Sequence, residues 1–307
     1  MKVQALRNGV RVGPHELQIP CTDGGFVQGT TVAEQLRTFG GRLFRLDDHL
    51  DRLFAGLETV GIALPWSRET IAEWANALAS DNHALLQPGN DLALVIFVTP
   101  GPYGAFAASP GAVAPGDSGP LLGMHTYALP FRNWASLYDV GQPLAIPSIR
   151  EVPSACWPAA LKCRSRMHYH LADREARRID PEARALLLDL EGHVAEASTA
   201  SVFLYFEGEG FVAPPEAEVL PSISLRTIRQ AATARSIPFV HRTIEAAELF
   251  DADEVLLCST SPCVLAATRI DGRPVGDGRP GRMWRHLIAA WNETAGFDLI
   301  DQARRFA

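Results

Sequence analysis

The chain has 307 residues, 47% of them hydrophobic, with 28 basic against 35 acidic side chains and a formal net charge of −7. That length and apolar fraction support two packed domains with full cores, while the acidic balance and the lack of any basic run argue against nucleic acid as a partner. No stretch approaches the roughly 18 uninterrupted apolar residues of a membrane span, residues 1–4 lack the apolar core of a secretion signal, and Cys21, Cys156, Cys163, Cys258 and Cys263 form neither a disulfide framework nor a zinc pattern; the expectation is a cytoplasmic protein with reduced thiols and no membrane partner.

Residues 1–20 alternate loosely, as one or two strands do, and Asp23-Gly24-Gly25 turns the chain into a mixed run over 30–38. Gly40-Gly41 is a two-residue hairpin signal between that run and residues 42–46. Asp47-Asp48 predicts a cap for a helix over 49–60 with Leu50, Leu53, Phe54 and Leu57 on one face, and a second helix follows Pro65 over 68–79. Residues 92–99 (LALVIFVT) are a continuous apolar run stopped by Pro100-Gly101, the pattern of a strand covered on both faces. Gly, Pro, Ala and Ser dominate 100–120, which predicts a long loop or lid.

A short strand over 125–129 precedes Pro130-Phe131-Arg132-Asn133, after which the pattern restarts. The predicted division is a domain over 1–130, a loop over 131–140 and a second domain over 141–307. Within the second, the stretch at Lys162 leads into a helix ending near 179, then come a strand over 185–189, a turn at Glu191-Gly192 and one strand over 194–206. A helix opens at 220–224 and ends near 235. A strand over 254–259, a glycine-punctuated hairpin over 270–278 and a helix from near Gly281 complete the order.

Of the 28 basic residues only Lys2 and Lys162 are lysines. Arginine stays protonated at physiological pH, whereas a desolvated lysine amine can lose its proton and attack a carbonyl. Lys162 is either a chance survivor in an arginine-biased composition or a residue needed for its amine. Its companions favour the amine: Arg52 on the first helix, Glu196 near the start of a strand, and hydroxyl-rich turns at 222–224 and 259–261. Lys162 would hold the aldehyde of a phosphorylated aromatic ligand, Glu196 would keep a ring nitrogen protonated, and the helix N-terminus at Ile223-Ser224 would bind the phosphate. Alone, Glu196 reads as a strand-edge carboxylate and Arg52 as an i,i+4 partner of Asp48. His168-x-His170 suggests a metal, but on a helix the two side chains point about 200° apart, so no metal site is expected.

With these pieces in order, the chain resembles the class IV, fold-type IV pyridoxal-phosphate enzymes, which include branched-chain aminotransferase, D-amino-acid aminotransferase and aminodeoxychorismate lyase. The matching residues are Phe44-Arg45-Leu46-Asp47-Asp48-His49-Leu50-Asp51-Arg52-Leu53, Leu161-Lys162, Val194-Ala195-Glu196-Ala197-Ser198, Leu220-Pro221-Ser222-Ile223-Ser224, Asp253-Glu254-Val255, Ser259-Thr260-Ser261 and the hairpin over 271–281. The resemblance implies an α+β fold with a small N-terminal domain and a larger barrel-like C-terminal one, a pyridoxal 5'-phosphate cofactor, and a homodimer. By position it makes Lys162 the Schiff-base lysine and Glu196 the partner of the pyridine nitrogen. Arg52, Ile223, Ser224 and Thr260 fall on the phosphate, Leu220 under the ring, and Ser261 near both phosphate and substrate carboxylate. Phe26, Tyr103 and Tyr169 are the candidate substrate-pocket residues.

The implied reaction is transamination between an amino acid, branched-chain first, and a 2-oxo acid. A lyase of the aminodeoxychorismate type and a cofactor-binding homologue without turnover are the alternatives. The chain departs from its family where substrate carboxylates are gripped. The loop 100–106 lacks the Arg and His of D-amino-acid aminotransferases, and Asp91 and Ala93 stand where branched-chain enzymes carry Tyr and Arg.

Overall fold

Eight consecutive buried residues, Leu92–Thr99, form the strand that the apolar run predicted. The computed structural model to which it belongs describes residues 2–108 and 118–307, so the expected loop over 100–120 lies in part, at 109–117, outside the described residues. The chain divides into two compact units, Met1–Leu129 with Leu161–Ser165, and Pro130–Ala160 with Arg166–Ala307.

In the first unit, β1 (Ala5–Arg7), β2 (Val10–Val12), β3 (Val32–Phe39), β4 (Arg42–Leu43), β5 (Leu92–Thr99) and β6 (Leu121–Ala128) form one sheet in the order β2-β1-β6-β5-β3-β4. Strand alternation sends Val32 and Leu36 of β3, Leu94, Ile96 and Val98 of β5 and Leu122 and Met124 of β6 to one face. There they meet Leu50, Leu53 and Leu57 of a helix over Leu46–Val60 and Ile71, Ala75 and Leu78 of a helix over Arg68–His83. Each such side chain fully buried contributes about 1.5–3 kcal/mol, so this face holds the unit together. Ala33, Val95, Phe97 and Leu121 form a smaller cluster of their own, as the alternation requires of the opposite face. The glycine pair makes the predicted hairpin, with Gly40 and Gly41 at φ 56° and 82°, where a side chain would be strained. Two short helices, Gly24–Val27 and Gly104–Ala107, complete the unit; in chain order the four are α1 (Gly24–Val27), α2 (Leu46–Val60), α3 (Arg68–His83) and α4 (Gly104–Ala107).

Several expectations are corrected. α2 begins three residues before 49, because Arg45 takes the left-handed conformation (φ 49°) as its N-cap. Asp47 and Asp48 therefore lie in the first turn, where they oppose the helix dipole instead of capping it, and Asp47 and Asp51 hold Arg68 of α3 at 3.0 Å each. The residues 131–140, expected as a loop, carry a 3-10 turn at Phe131–Asn133 and a helix, α5 (Leu137–Val140). Phe131, Trp134 and Tyr138 are buried there, and an apolar anchor of that size cannot run as a solvated linker. Leu161–Ser165 groups with the first unit, not with the stretch 141–307 around it.

The second unit is built on β7 (Gln142–Ala145), β8 (Arg184–Leu188), β9 (Val194–Ala197), β10 (Ser201–Phe206), β11 (Gly210–Ala213), β12 (Phe239–His241), β13 (Glu254–Ser259), β14 (Cys263–Ile270) and β15 (Arg273–Pro274). The order is β12-β11-β10-β13-β14-β7-β8-β9, with β15 on β14. The strand predicted over 194–206 is broken into β9 and β10. Thr199 takes φ 64° and Ser198 donates to Asp173 Oδ1 at 2.6 Å, so the chain turns where the sequence reads as continuous. An Ala197–Ala200 bridge closes that turn, so the last strand of the order runs directly into β10 and the sheet curls on itself as a half-barrel. Helices α6 (Met167–Ile179), α7 (Ile223–Ala234), α8 (Glu248–Asp251), α9 (Arg282–Ala295) and α10 (Leu299–Arg305) accompany it. Among the described residues no helix is long and apolar enough to cross a membrane.

Candidate functional site

Lys162, Arg52, Phe26 and Tyr103 fall in the first unit; Glu196, Tyr169, Leu220, Ile223, Ser224, Thr260 and Ser261 fall in the second. Each group has its own geometry.

In the first unit, Lys162 lies on a segment bound to the start of β3. Ala33 N donates to Lys162 O at 3.0 Å and Arg164 N to Thr31 O at 2.9 Å, around a Val32–Cys163 antiparallel bridge. The sequence placed Lys162 in the second domain ahead of a helix; it is held instead by backbone pairing to the first unit across about 130 positions of chain. From α2, Arg52 reaches Glu34 of β3, with Nε 2.7 Å from Oε1 and Nη2 2.8 Å from Oε2, a two-point clamp. His49, one turn earlier, places Nδ1 2.7 Å from Glu34 Oε2. The ionised carboxylate can only accept, so Nδ1 carries the proton and the imidazole tautomer is fixed.

Burial alone would raise the Glu34 carboxyl, but hydrogen bonds from Arg52 and His49 hold it down at about 2. Burial pushes the His49 imidazole below its ordinary range, against the pull of Glu34, and the charges of Arg52 and Lys162 push it the same way. His49 is therefore neutral. Its Nε2 is buried with no hydrogen-bond partner among the described residues. Glu34 and His49 were not singled out in the sequence. The available signal was Glu34 itself, a carboxylate in phase with Val32 and Leu36 on an apolar strand face. Phe26, on α1, is 71% exposed, and the Asp23–Pro102 bridge with Tyr103 N donating to Thr22 O at 2.8 Å joins its loop to that of Tyr103.

In the second unit, Glu196 on β9 is buried, and two neutral donors are among its contacts. Tyr169 Oη on α6 donates at 3.1 Å to Oε2, and the Leu220 backbone N–H at 3.1 Å to Oε1. Burial, then the Glu196 charge, pushes the Tyr169 phenol far above its ordinary value, so the hydroxyl keeps the proton that it donates. Two residues on, Ser222 caps α7, its Oγ accepting from Leu225 N at 3.1 Å. Helical geometry leaves the N–H groups of Ile223 and Ser224 without intrahelical acceptors. Cys258 of β13 lies within reach of both Ser222 and the Glu196 charge, and burial pushes its thiol up and out of the nucleophilic range. Thr260 and Ser261 form the turn directly after β13. Leu220-Pro221-Ser222 thus connects a buried carboxylate at one end to an anion-accepting helix mouth at the other.

A family model described as amino-transferase class IV matches residues 31–270. Among curated proteins, the D-alanine aminotransferase of Staphylococcus aureus (strain COL) is 26% identical over 282 residues, covering 91% of this chain and 93% of the relative. That of Listeria innocua is 26% identical over 290 residues, with 93% of each covered. Among solved structures, the T.th. branched-chain amino acid aminotransferase complexed with N-(5'-phosphopyridoxyl)-L-glutamate superposes with TM-score 0.82 at 22% identity, covering 95% of this chain and 94% of that one. The branched-chain enzyme of Escherichia coli does so with TM-score 0.79 at 20% identity, covering 96% and 94%. These last two show the fold, α+β with a half-barrel sheet; the family model, spanning most of the chain with the lysine, the carboxylate and the helix mouth inside it, shows that the chain belongs to the class IV aminotransferases.

Proposed function

We propose that the protein transfers an amino group between an amino acid and a 2-oxo acid with pyridoxal 5'-phosphate as its cofactor, its two units being the small and large domains of such an enzyme. The observation that carries this is Glu196, buried between Tyr169 Oη and Leu220 N at the mouth of α7. The donor set fits the cofactor: a buried carboxylate for a protonated ring nitrogen, helix N–H groups without intrahelical acceptors for a phosphate, and a lysine amine for the aldehyde. Lys162 would be the covalent attachment point, and Arg52, Ile223, Ser224 and Thr260 the phosphate ligands, with Ser261 beside them and Leu220 under the ring. Bound there, the cofactor supplies an electron sink for charge developing at the donor Cα.

The chain's own residues do the rest. Lys162 Nζ takes and returns the Cα proton. Glu196 holds positive charge on the ring nitrogen, and Tyr169 fixes the orientation of the Glu196 carboxylate. Arg52, itself oriented by Glu34, meets phosphate with a permanent charge. Tyr169→Phe removes a hydrogen bond to a buried charge, a loss of about 1.5–3 kcal/mol. Cofactor retention in dialysis is expected to fall about tenfold or more; unchanged retention removes Tyr169 from the site.

The absence of Arg or His at 100–106 supports a branched-chain donor over the D-alanine of the curated relatives. A cytoplasmic homodimer is part of the same proposal, checked by sedimentation and fractionation. Absorbance spectra with L-leucine, L-valine and D-alanine test the reaction. A transaminase converts its cofactor to the amine form in the first half-reaction. A return to the starting spectrum with release of pyruvate instead establishes the lyase alternative.

A further inference from the structure

The segment that holds Lys162 carries a second cation. An antiparallel Val32–Cys163 bridge flanked by its two hydrogen bonds pairs 162–164 with the edge of β3, and the chain bends at Arg164. Alternation then sends Cys163 with Val32 to the helix-covered face, and Lys162 and Arg164 together to the other, with Cα atoms about 7 Å apart. Register identifies what shares that other face. Gln35, Val95 and His125 lie in line across β3, β5 and β6, and Arg37, Ala93 and Tyr127 form the next line. His125 and Tyr127 are two apart on β6, their ring centroids 6.3 Å apart. The Phe97 ring covers Gly123 on the same face, where a Cβ would overlap it.

The charge of Arg164 acts on both members of this pair. Burial lowers the half-buried His125 imidazole and the Arg164 charge lowers it further, while Arg164 opposes the rise that burial imposes on the Tyr127 phenol. The result is a permanent cation, a neutral imidazole and a protonated phenol on the Lys162 side of the sheet.

We propose that Arg164, with His125 and Tyr127, is the carboxylate grip of the substrate pocket, replacing the gripping residues that this chain lacks at 91, 93 and 100–106. Resting on the aminotransferase reading above, it names the substrate class: amino acids and 2-oxo acids with a free carboxylate, not simple amines. A guanidinium two residues from the reacting amine places the carboxylate next to the Cα whose proton Lys162 moves. Arg164 acts through a charge-assisted hydrogen bond that a neutral side chain cannot replace.

The test is calorimetric titration of the cofactor-loaded protein with 4-methylvalerate, which has a carboxylate but no amine, and with its neutral amide, against Arg164→Leu and Arg164→Lys. At about 1.5–3 kcal/mol for a bond to a charged group, Arg164→Leu is expected to weaken the acid at least tenfold and leave the amide unchanged; Arg164→Lys is expected to restore part of the loss. The amino-acid KM rises in parallel. Equal binding by wild type and Arg164→Leu, equal losses for acid and amide, or no binding of the acid to wild type each overturns the grip. Borohydride reduction of the same samples separates the two ideas. Cofactor fixed to Lys162 with acid binding unchanged sinks the grip alone, whereas no fixation in wild type sinks the cofactor reading and the grip with it.

Discussion

The Lys162→Arg protein is expected to fold, to take up pyridoxal 5'-phosphate without fixing it, and to lose turnover by about four orders of magnitude, the upper range for removing a proton-transfer group. The substitution keeps the positive charge whose field lowers the His49 imidazole. It also leaves the backbone bonds that seat the segment, Ala33 N to Lys162 O and Arg164 N to Thr31 O. What changes is the amine: a guanidinium cannot lose its proton at working pH or form an imine. The phosphate ligands proposed above, Arg52 and the α7 N-terminus, would act independently of that bond, so retention by dialysis should fall far less than activity. Because Lys2 is the only other lysine in the chain, peptide mapping after borohydride reduction gives an unambiguous answer. An adduct on Lys2, an adduct nowhere in a yellow wild-type protein, or residual turnover within tenfold of wild type removes Lys162 from the centre of the chemistry.

Legibility in the sequence followed the range of the interaction. β5, the hairpin at Gly40-Gly41, α7 and β13 were readable because their causes are local: an apolar run, a glycine pair with positive φ, a serine cap, a second apolar run. The break between β9 and β10 was not, since it depends on Ser198 bonding to Asp173 and on a strained Thr199, neither of which alters the apolar pattern. The seat of Lys162 was hidden for the same reason, as backbone pairing to residues 31–33 leaves no mark on side-chain periodicity. Residue types pointed to Arg52 and Glu196, but not to what holds them. Tyr169, an ambiguous neighbour of the lysine in the sequence, is a donor to Glu196. Arg52, expected in solvent beside Asp48 if it had no other task, has its side chain 11% exposed against a wholly buried Glu34.

Glu34→Gln is expected to cost the first unit about 3–5 kcal/mol at pH 7, the usual penalty for removing one partner of a buried ion pair. The Gln amide can offer only one oxygen to the three N–H groups that now converge on Glu34, and its own NH2 must face Arg52 or His49. An independent figure agrees in size: a carboxyl moved from 4.5 to about 2 represents about 3 kcal/mol of stability. The sign follows from proton counting. Between 4.5 and about 2 the unfolded chain binds a proton that folded Glu34 refuses, so this stability is complete above 4.5 and is lost as pH falls toward 2. His49 acts in the same direction from higher pH, because its folded imidazole is depressed below the ordinary 6.5 and acidification below that value favours the unfolded chain. Wild type should therefore weaken from pH 6.5 downward and faster below 4.5, while Glu34→Gln starts weaker and loses the lower segment of the slope. His49→Asn, whose amide nitrogen can replace Nδ1 as the donor to Glu34, should lose only the upper segment. Hydrogen exchange of the β5 amides reads the opening free energy of this unit without requiring the whole chain to unfold in one step. A Glu34→Gln protein within about 1 kcal/mol of wild type, or one with the wild-type slope below pH 4.5, would show that Glu34 does not anchor Arg52 and that the arginine stands by other means.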